Sequence, residues 1–313
     1  MTVTYQDICD AHTRIKPFIH RTPVMSSQLI NDVVGGDLFF KCENFQKGGA
    51  FKARGAFNAV HSMAAEEVAK GIVTHSSGNH AAAVALAGRS RGARAYVIMP
   101  STSPAPKKAA VKGYGATIIE CEPVLSTRES EAKRVLSETG GCFLHPYNDD
   151  RVIAGQGTAA KEMIEDSGPF DIVMCPVGGG GLLGGTALVT RELLPGAQVI
   201  AGEPAGADDA KRSFDSGTLV PQTNPQTIAD GLLTSLGERN FAIIQENVDQ
   251  ILTVSEQNIV KAMRLIWQHM KVLIEPSSAV PLGCILEHKL DLTSKRVGII
   301  LSGGNIDIDR LPW

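Results

Sequence analysis

The chain has 313 residues, 43% hydrophobic and 20% charged, with a formal net charge of −3. That is the composition of a folded globular chain long enough for two domains, and its slight negative charge leaves no footprint for nucleic acid or an anionic membrane surface. The first fifteen residues carry acidic side chains and no apolar core, so no secretion signal is expected there. The most apolar stretch, Ile172 to Val189, is broken by Pro176 and six glycines and makes a poor membrane span. Six cysteines lack a Cys-x-x-Cys pair or a histidine at zinc spacing, and read as reduced thiols of a cytoplasmic protein.

In chain order, short apolar, β-branched runs alternate with helical patterns. Gly71 to Thr74 leads into a helix over Asn79 to Arg91, and Ala95 to Met99 leads into Pro106 to Lys112. Ala116 to Cys121 leads into Thr127 to Glu138, where Glu129 and Lys133 stand four apart on one helical face. Asp171 to Pro176 runs through four glycines into Leu182 to Leu194, and Val199 to Ala201 leads to Ala207 to Phe214. Ile259, Met263 and Ile266 mark a late helix face, and Val297 to Leu301 a last buried strand. Such alternation predicts an α/β protein of mainly parallel sheet flanked by helices, with ligands at the carboxyl ends of strands.

Polar and glycine-rich segments fall at those ends. Lys52, in Gly48-Gly-Ala-Phe-Lys-Ala-Arg-Gly55, stands at a helix start in a largely apolar setting. Both features lower an amine's pKa, as a lysine that attacks an aldehyde requires. By itself the segment also fits a solvated lysine beginning a helix. Gly178, Gly179, Gly180 and Gly181 follow a strand and open a helix, where backbone N–H groups can converge on an anion. Four consecutive glycines are read here as a phosphate cradle, with a dinucleotide loop as the rival reading. Ser76, Ser77, Gly78, Asn79 and His80 offer hydroxyls and N–H groups at another helix start, suited to a carboxylate or simply to capping. Glu203, Asp208 and Asp209 supply carboxylates on a post-strand loop, fit for a hard cation or for a helix N-terminus.

Taken together, these motifs resemble the serine/threonine dehydratase and serine racemase branch of the tryptophan-synthase-β-like, fold type II pyridoxal-phosphate enzymes. The resemblance runs from Arg21-Thr22-Pro23 to Leu301-Ser302-Gly303-Gly304-Asn305. It implies a large cofactor-binding domain over residues 1–70 and 146–313, and a small mobile domain over 71–145 that closes on substrate. It implies pyridoxal 5'-phosphate held by Phe51, Lys52, Asn79, the four glycines and Ser302, with Asn79 at the cofactor's 3-oxygen and Ser302 facing the pyridine nitrogen. Lys52 and Ser77 are the implied catalytic pair, on opposite faces of the substrate α-carbon. Ser76, Ser77, Gly78, Asn79, His80, Arg128 and Thr234 are the implied substrate contacts, Thr234 within the loop Asp230 to Ser235; Tyr147 is expected beside the cofactor. Glu203, the carbonyl of Ala207 and Asp209 are the implied ligands of a divalent cation: Mg2+, Ca2+ or Mn2+. Ala50 departs from the family's usual serine. A homodimer is expected, acting on a small amino acid rather than on nucleic acid or a membrane.

The implied activity is dehydration of L-serine, L-threonine or threo-3-hydroxyaspartate to a keto acid and ammonia. Serine racemisation is the alternative, since Ser-Ser-Gly-Asn-His places a second acid/base group at Ser77. If Arg128 reaches a substrate carboxylate, 3-hydroxyaspartate is favoured. A non-catalytic phosphate-binding protein using the glycine run is the reading outside the enzyme class.

Overall fold

The computed structural model describes residues 3–103, 105–288 and 290–313. Among them ten strands form two sheets. They are β1 (Val24–Met25), β2 (Asp37–Cys42), β3 (Ile72–His75), β4 (Ala95–Pro100), β5 (Thr117–Cys121), β6 (Cys142–Phe143), β7 (Ile172–Pro176), β8 (Gln198–Pro204), β9 (Gln250–Val254) and β10 (Arg296–Leu301). One sheet has the order β1-β2-β10-β7-β8-β9, the other β5-β4-β3-β6. Every pairing is parallel except β1 with β2.

Parallel strands joined by helical crossovers are covered on both faces, which is why β7 reads Ile-Val-Met-Cys-Pro and is buried at every position. Successive side chains leave a strand on opposite faces. Met174, Ile200 and Ile299 therefore pack with the helices Glu256–Met270 and Pro276–His288. Their neighbours Val173, Val199 and Ile300 pack against Asp150–Ser167 and Gly181–Leu193. β10 comes last in the chain yet sits centrally, Val297 aligning with Leu38 of β2 and Ile172 of β7.

The helix Lys52–Ser62 runs between the two layers. Its residues Ala53, Ala56, Phe57 and Val60 share a core with Ile72 and Val97 of the smaller sheet and Val152 of Asp150–Ser167. The approach to Asp150–Ser167 is close: a Cβ at Gly155 would lie 2.6 Å from the Cα of Gly55. Two residues beyond Lys52, fully buried Arg54 joins an enclosed ionic cluster. Its guanidinium contacts Glu43 at 2.7 and 2.8 Å and Glu162 at 2.7 and 3.0 Å. Lys41 completes the cluster 2.8 Å from Glu162. Two positive and two negative groups balance, and each is hydrogen-bonded, the condition under which buried charge is tolerated. Removing one partner costs about 3–5 kcal/mol. The start of the Lys52 helix is thus held by both packing and charge.

Candidate active site

The residues singled out above lie at or beyond the carboxyl ends of β2, β3, β5, β6, β7, β8 and β10. All but those of the Glu203–Asp209 loop converge on one cavity of about 490 Å3 between the sheets. That volume suits a cofactor with a small substrate. Phe51, Lys52, Ser76, Ser77, Gly78, Asn79, His80, Arg128, Tyr147, the four glycines 178–181, Thr234 and Ser302 all line it. Glu203, Ala207 and Asp209 do not.

Lys52 is the first residue of its helix. Its Nζ lies 5.1 Å from the Phe51 ring centroid and donates to the Pro146 carbonyl at 2.9 Å. Burial lowers its pKa to about 8, with the negative charge of Glu275 opposing. The amine is therefore available as a nucleophile close to neutral pH. Nearby imidazoles add no compensating charge. Burial, then the neighbouring His75 and Lys52, holds His145 at about 4, and burial with the Lys52 charge holds His80 well below its usual value.

The glycine run forms a cradle that side chains would fill. A Cβ at Gly179 would meet the Tyr147 ring at 2.3 Å. Gly180 has φ +90°, a left-handed conformation that glycine adopts without strain, and a Cβ there would lie 2.7 Å from Asn240. Asn240 donates to the carbonyls of Gly179 at 2.7 Å and Tyr147 at 3.0 Å, drawing the loop's acceptors outward. Among the described residues the N–H groups of Gly178, Gly179 and Gly180 meet no backbone acceptor, and the helix Gly181–Leu193 has no side-chain cap. Uncapped N–H groups at a helix start, backed by a lysine amine, fit a phosphorylated aldehyde.

At the far side, the Phe51 N–H donates to the Ser302 carbonyl at 3.0 Å, and the Ser302 hydroxyl lies 3.1 Å from that of Ser278. Ala50, where the resemblance leads to the expectation of serine, pairs across an isolated bridge with Gly303. It is almost fully buried, so its methyl packs where a hydroxyl would need a partner. Asn79 opens the helix Asn79–Ser90. Ser76 Oγ accepts from the Gly78 N–H at 3.3 Å, whereas Ser77 Oγ has no hydrogen bond among the described residues. Arg128 enters from the start of Leu125–Thr139, its Nε enclosed and without a partner. Thr234 stands beside Tyr147, whose hydroxyl burial pushes upward in pKa.

Away from the cavity, Glu203 and Asp209 are fully buried together. Glu203 accepts the N–H groups of Ala210 at 2.9 Å and Lys211 at 2.8 Å, and burial pushes its carboxyl up to about 8. Asp209 accepts from the Leu236 N–H at 2.7 Å, while its Oδ1 is enclosed without a partner. An unpartnered carboxylate oxygen beside a second buried carboxyl fits a hard cation. Among the described residues, no group of three or more His, Cys, Asp or Glu could hold a metal.

Lys107, Pro146 and Glu275 are among the lining residues that the sequence reading missed. Lys107 pairs with Asp230 across the mouth, joining the helix Ala105–Gly113 to the loop before Thr234. Glu275 precedes Pro276, the first residue of its helix. Proline at a helix start with an acidic residue before it is a readable signal, though only for the helix.

The family pattern described as "Pyridoxal-phosphate dependent enzyme" matches residues 15–303. The chain is 51% identical to the beta-hydroxyaspartate dehydratase of Paracoccus denitrificans (strain Pd 1222), over 99% of this chain and 98% of that protein. It is 47% identical to the L-threo-3-hydroxyaspartate ammonia-lyase of Saccharomyces cerevisiae (strain ATCC 204508 / S288c), over 98% and 94%. The crystal structure of serine racemase from Dictyostelium discoideum superposes with a TM-score of 0.94 at 48% identity, covering 98% of this chain and 100% of that one.

Proposed function

The chain belongs to the pyridoxal-phosphate dependent enzymes, and from that premise we propose that it dehydrates a small β-hydroxy amino acid, with threo-3-hydroxyaspartate preferred over L-serine and L-threonine. The observation that carries the preference is Arg128, a cation lining the Lys52 cavity with an enclosed, unpartnered Nε. A guanidinium so placed suits a second carboxylate. The hydroxyaspartate-specific names of two relatives support the same substrate.

Bound at the glycine run, the cofactor supplies the electron sink that acidifies the substrate's α-C–H bond. The chain's own residues do the rest. The Ser76–Asn79 loop and the helix start behind it take the α-carboxylate, and Arg128 takes the distal one. Lys52 Nζ removes the α-proton, the β-hydroxyl departs with a proton as water, and hydrolysis releases keto acid and ammonia. Closure of residues 71–145 over the rest, through contacts such as Lys107 with Asp230, would keep bulk water away.

A second reading, racemisation of serine, is favoured by Ser77, whose hydroxyl lines the cavity without a hydrogen bond among the described residues. A proton donor facing the base is what inversion needs. Glu203, Ala207 and Asp209 are proposed to hold a divalent cation that braces the β8 loop. Leu29 and Val33, 58% and 53% exposed on one face of Gln28–Val34, support burial in a homodimer. The six free cysteines support a reducing, cytoplasmic setting, and among the described residues no helix is long and apolar enough to cross a membrane.

The test is a steady-state comparison of L-serine, L-threonine and both diastereomers of 3-hydroxyaspartate, measuring keto acid and D-serine. Highest kcat/KM on the threo dicarboxylate, falling selectively in Arg128→Leu, is the expected result. Serine as the better substrate, or equal losses on serine and hydroxyaspartate in Arg128→Leu, overturns the assignment.

A further inference from the structure

We propose that Glu275 is a positioning residue that fixes which end of the Asn79 amide faces the cofactor, so that Asn79 presents an N–H donor. The inference rests on the cofactor reading above. An asparagine amide has a donor end and an acceptor end of nearly equal size, so its orientation is decided by its partners. Here both ends are specified. Asn79 Nδ2 donates to Glu275 at 2.9 Å to Oε1 and 3.1 Å to Oε2. Asn79 Oδ1 accepts from Asn305 Nδ2 at 2.9 Å. Flipping the amide would set oxygen against carboxylate and nitrogen against nitrogen. Both bonds to Glu275 run from the one nitrogen; shared through a single N–H, they leave the second for an acceptor in the cavity.

The carboxylate is itself held. Glu275 is buried, its N–H donates to the Gly303 carbonyl at 3.0 Å, and its Oε2 accepts from the Asn305 N–H at 3.2 Å. Asn305 is fixed in turn by donating to the Gly48 carbonyl at 2.7 Å. A Cβ at Gly303 would lie 2.8 Å from Glu275 Oε1, so the carboxyl occupies space that only a glycine there leaves free. Burial and the charge of Asp230 push the carboxyl up to about 7, against Asn79, Lys107 and the Asn305 N–H. Protonated or not, it keeps an oxygen that can accept from Asn79.

The experiment loads Glu275→Leu, Glu275→Gln and Asn305→Ala with pyridoxal 5'-phosphate. It reads the ratio of visible to near-ultraviolet cofactor absorption, the cofactor Kd and the thermal unfolding of each apo-protein. Glu275→Gln keeps an acceptor and should hold the ratio within about twofold. Glu275→Leu should shift it roughly threefold or more and weaken cofactor binding about tenfold, the scale of one buried hydrogen bond. Asn305→Ala should shift it in the same direction, and decides the matter if Glu275→Leu does not fold. An unchanged ratio and Kd in Glu275→Leu, or in Asn305→Ala when it alone folds, overturns the proposal. So does equal impairment of Glu275→Gln and Glu275→Leu, which would make charge rather than orientation the cause. Wild-type protein without a visible band would instead overturn the cofactor reading.

Discussion

The Nζ of Lys52 donates a 2.9 Å hydrogen bond to the carbonyl oxygen of Pro146, 94 positions further along the chain. That bond ties the first residue of the central helix to the segment returning from the four-stranded sheet. It aims the amine into the cavity lined by the glycine run.

Attachment of the cofactor should therefore follow the titration of this amine. Burial lowers the Lys52 pKa from 10.5 to about 8, so the reactive free amine is scarce below that pH and dominant above it. The rate at which apo-protein develops visible absorption should climb with pH through about 8 and then level. Lys52 by itself contributes stability to the apo fold that grows between pH 8 and 10.5, where the unfolded chain still binds the proton that the folded one has released. A flat rate profile, or one falling through pH 8, contradicts the assignment.

Gly179→Ala should damage the phosphate cradle first. Its Cβ would lie 2.3 Å from Tyr147 ring atoms, and that ring is already packed edge-on against His145 with centroids 4.7 Å apart. Overpacking of this kind costs about 1–3 kcal/mol. Thermal unfolding of the apo-protein should register that loss, and titration should show cofactor affinity falling about fivefold or more, the equivalent of the lower end of that scale. Binding and stability equal to wild type would mean that the loop does not hold the phosphate.

Ser77→Ala separates the two chemistries. Elimination from an L-substrate needs only the Lys52 base, whereas inversion needs a donor on the opposite face. D-serine formation should disappear while keto acid formation from the L-substrate persists within about tenfold. Parallel loss of both activities would remove Ser77 from the role given to it.

The buried carboxyl pair should make stability depend on a divalent cation. At about 100 times its Kd, Mg2+, Ca2+ or Mn2+ should add about 2.7 kcal/mol to the folded state. Calorimetry should find that gain absent in Glu203→Gln and Asp209→Asn, and present with or without the cofactor, since neither residue lines the cavity. An undiminished gain in both variants would place the cation elsewhere.

Much of this site was legible because its parts are local. Lys52 with its flanking glycines, the tetraglycine turn and the Ser76–His80 loop are each contiguous, and each stands at a helix start that the periodicity marks. The order of the strands was not legible: β10 inserts between β2 and β7 by pairing across more than half the chain, which alternation cannot reveal. Glu275 was missed because its meaning comes from Asn79, 196 positions away, and its own surroundings suggest only a helix beginning. Arg54 reads in the sequence as an ordinary helix residue after Lys52, and nothing beside it indicates that Glu43 and Glu162 enclose it. Lys107 reads as a solvated helix lysine until Asp230 comes within reach.

The most direct measurement is to reduce cofactor-loaded protein with borohydride and locate the modified side chain by peptide mass. The account predicts a single phosphopyridoxyl adduct on Lys52, absent from Lys52→Ala. An adduct on another lysine, or none on a loaded wild-type protein, would contradict it.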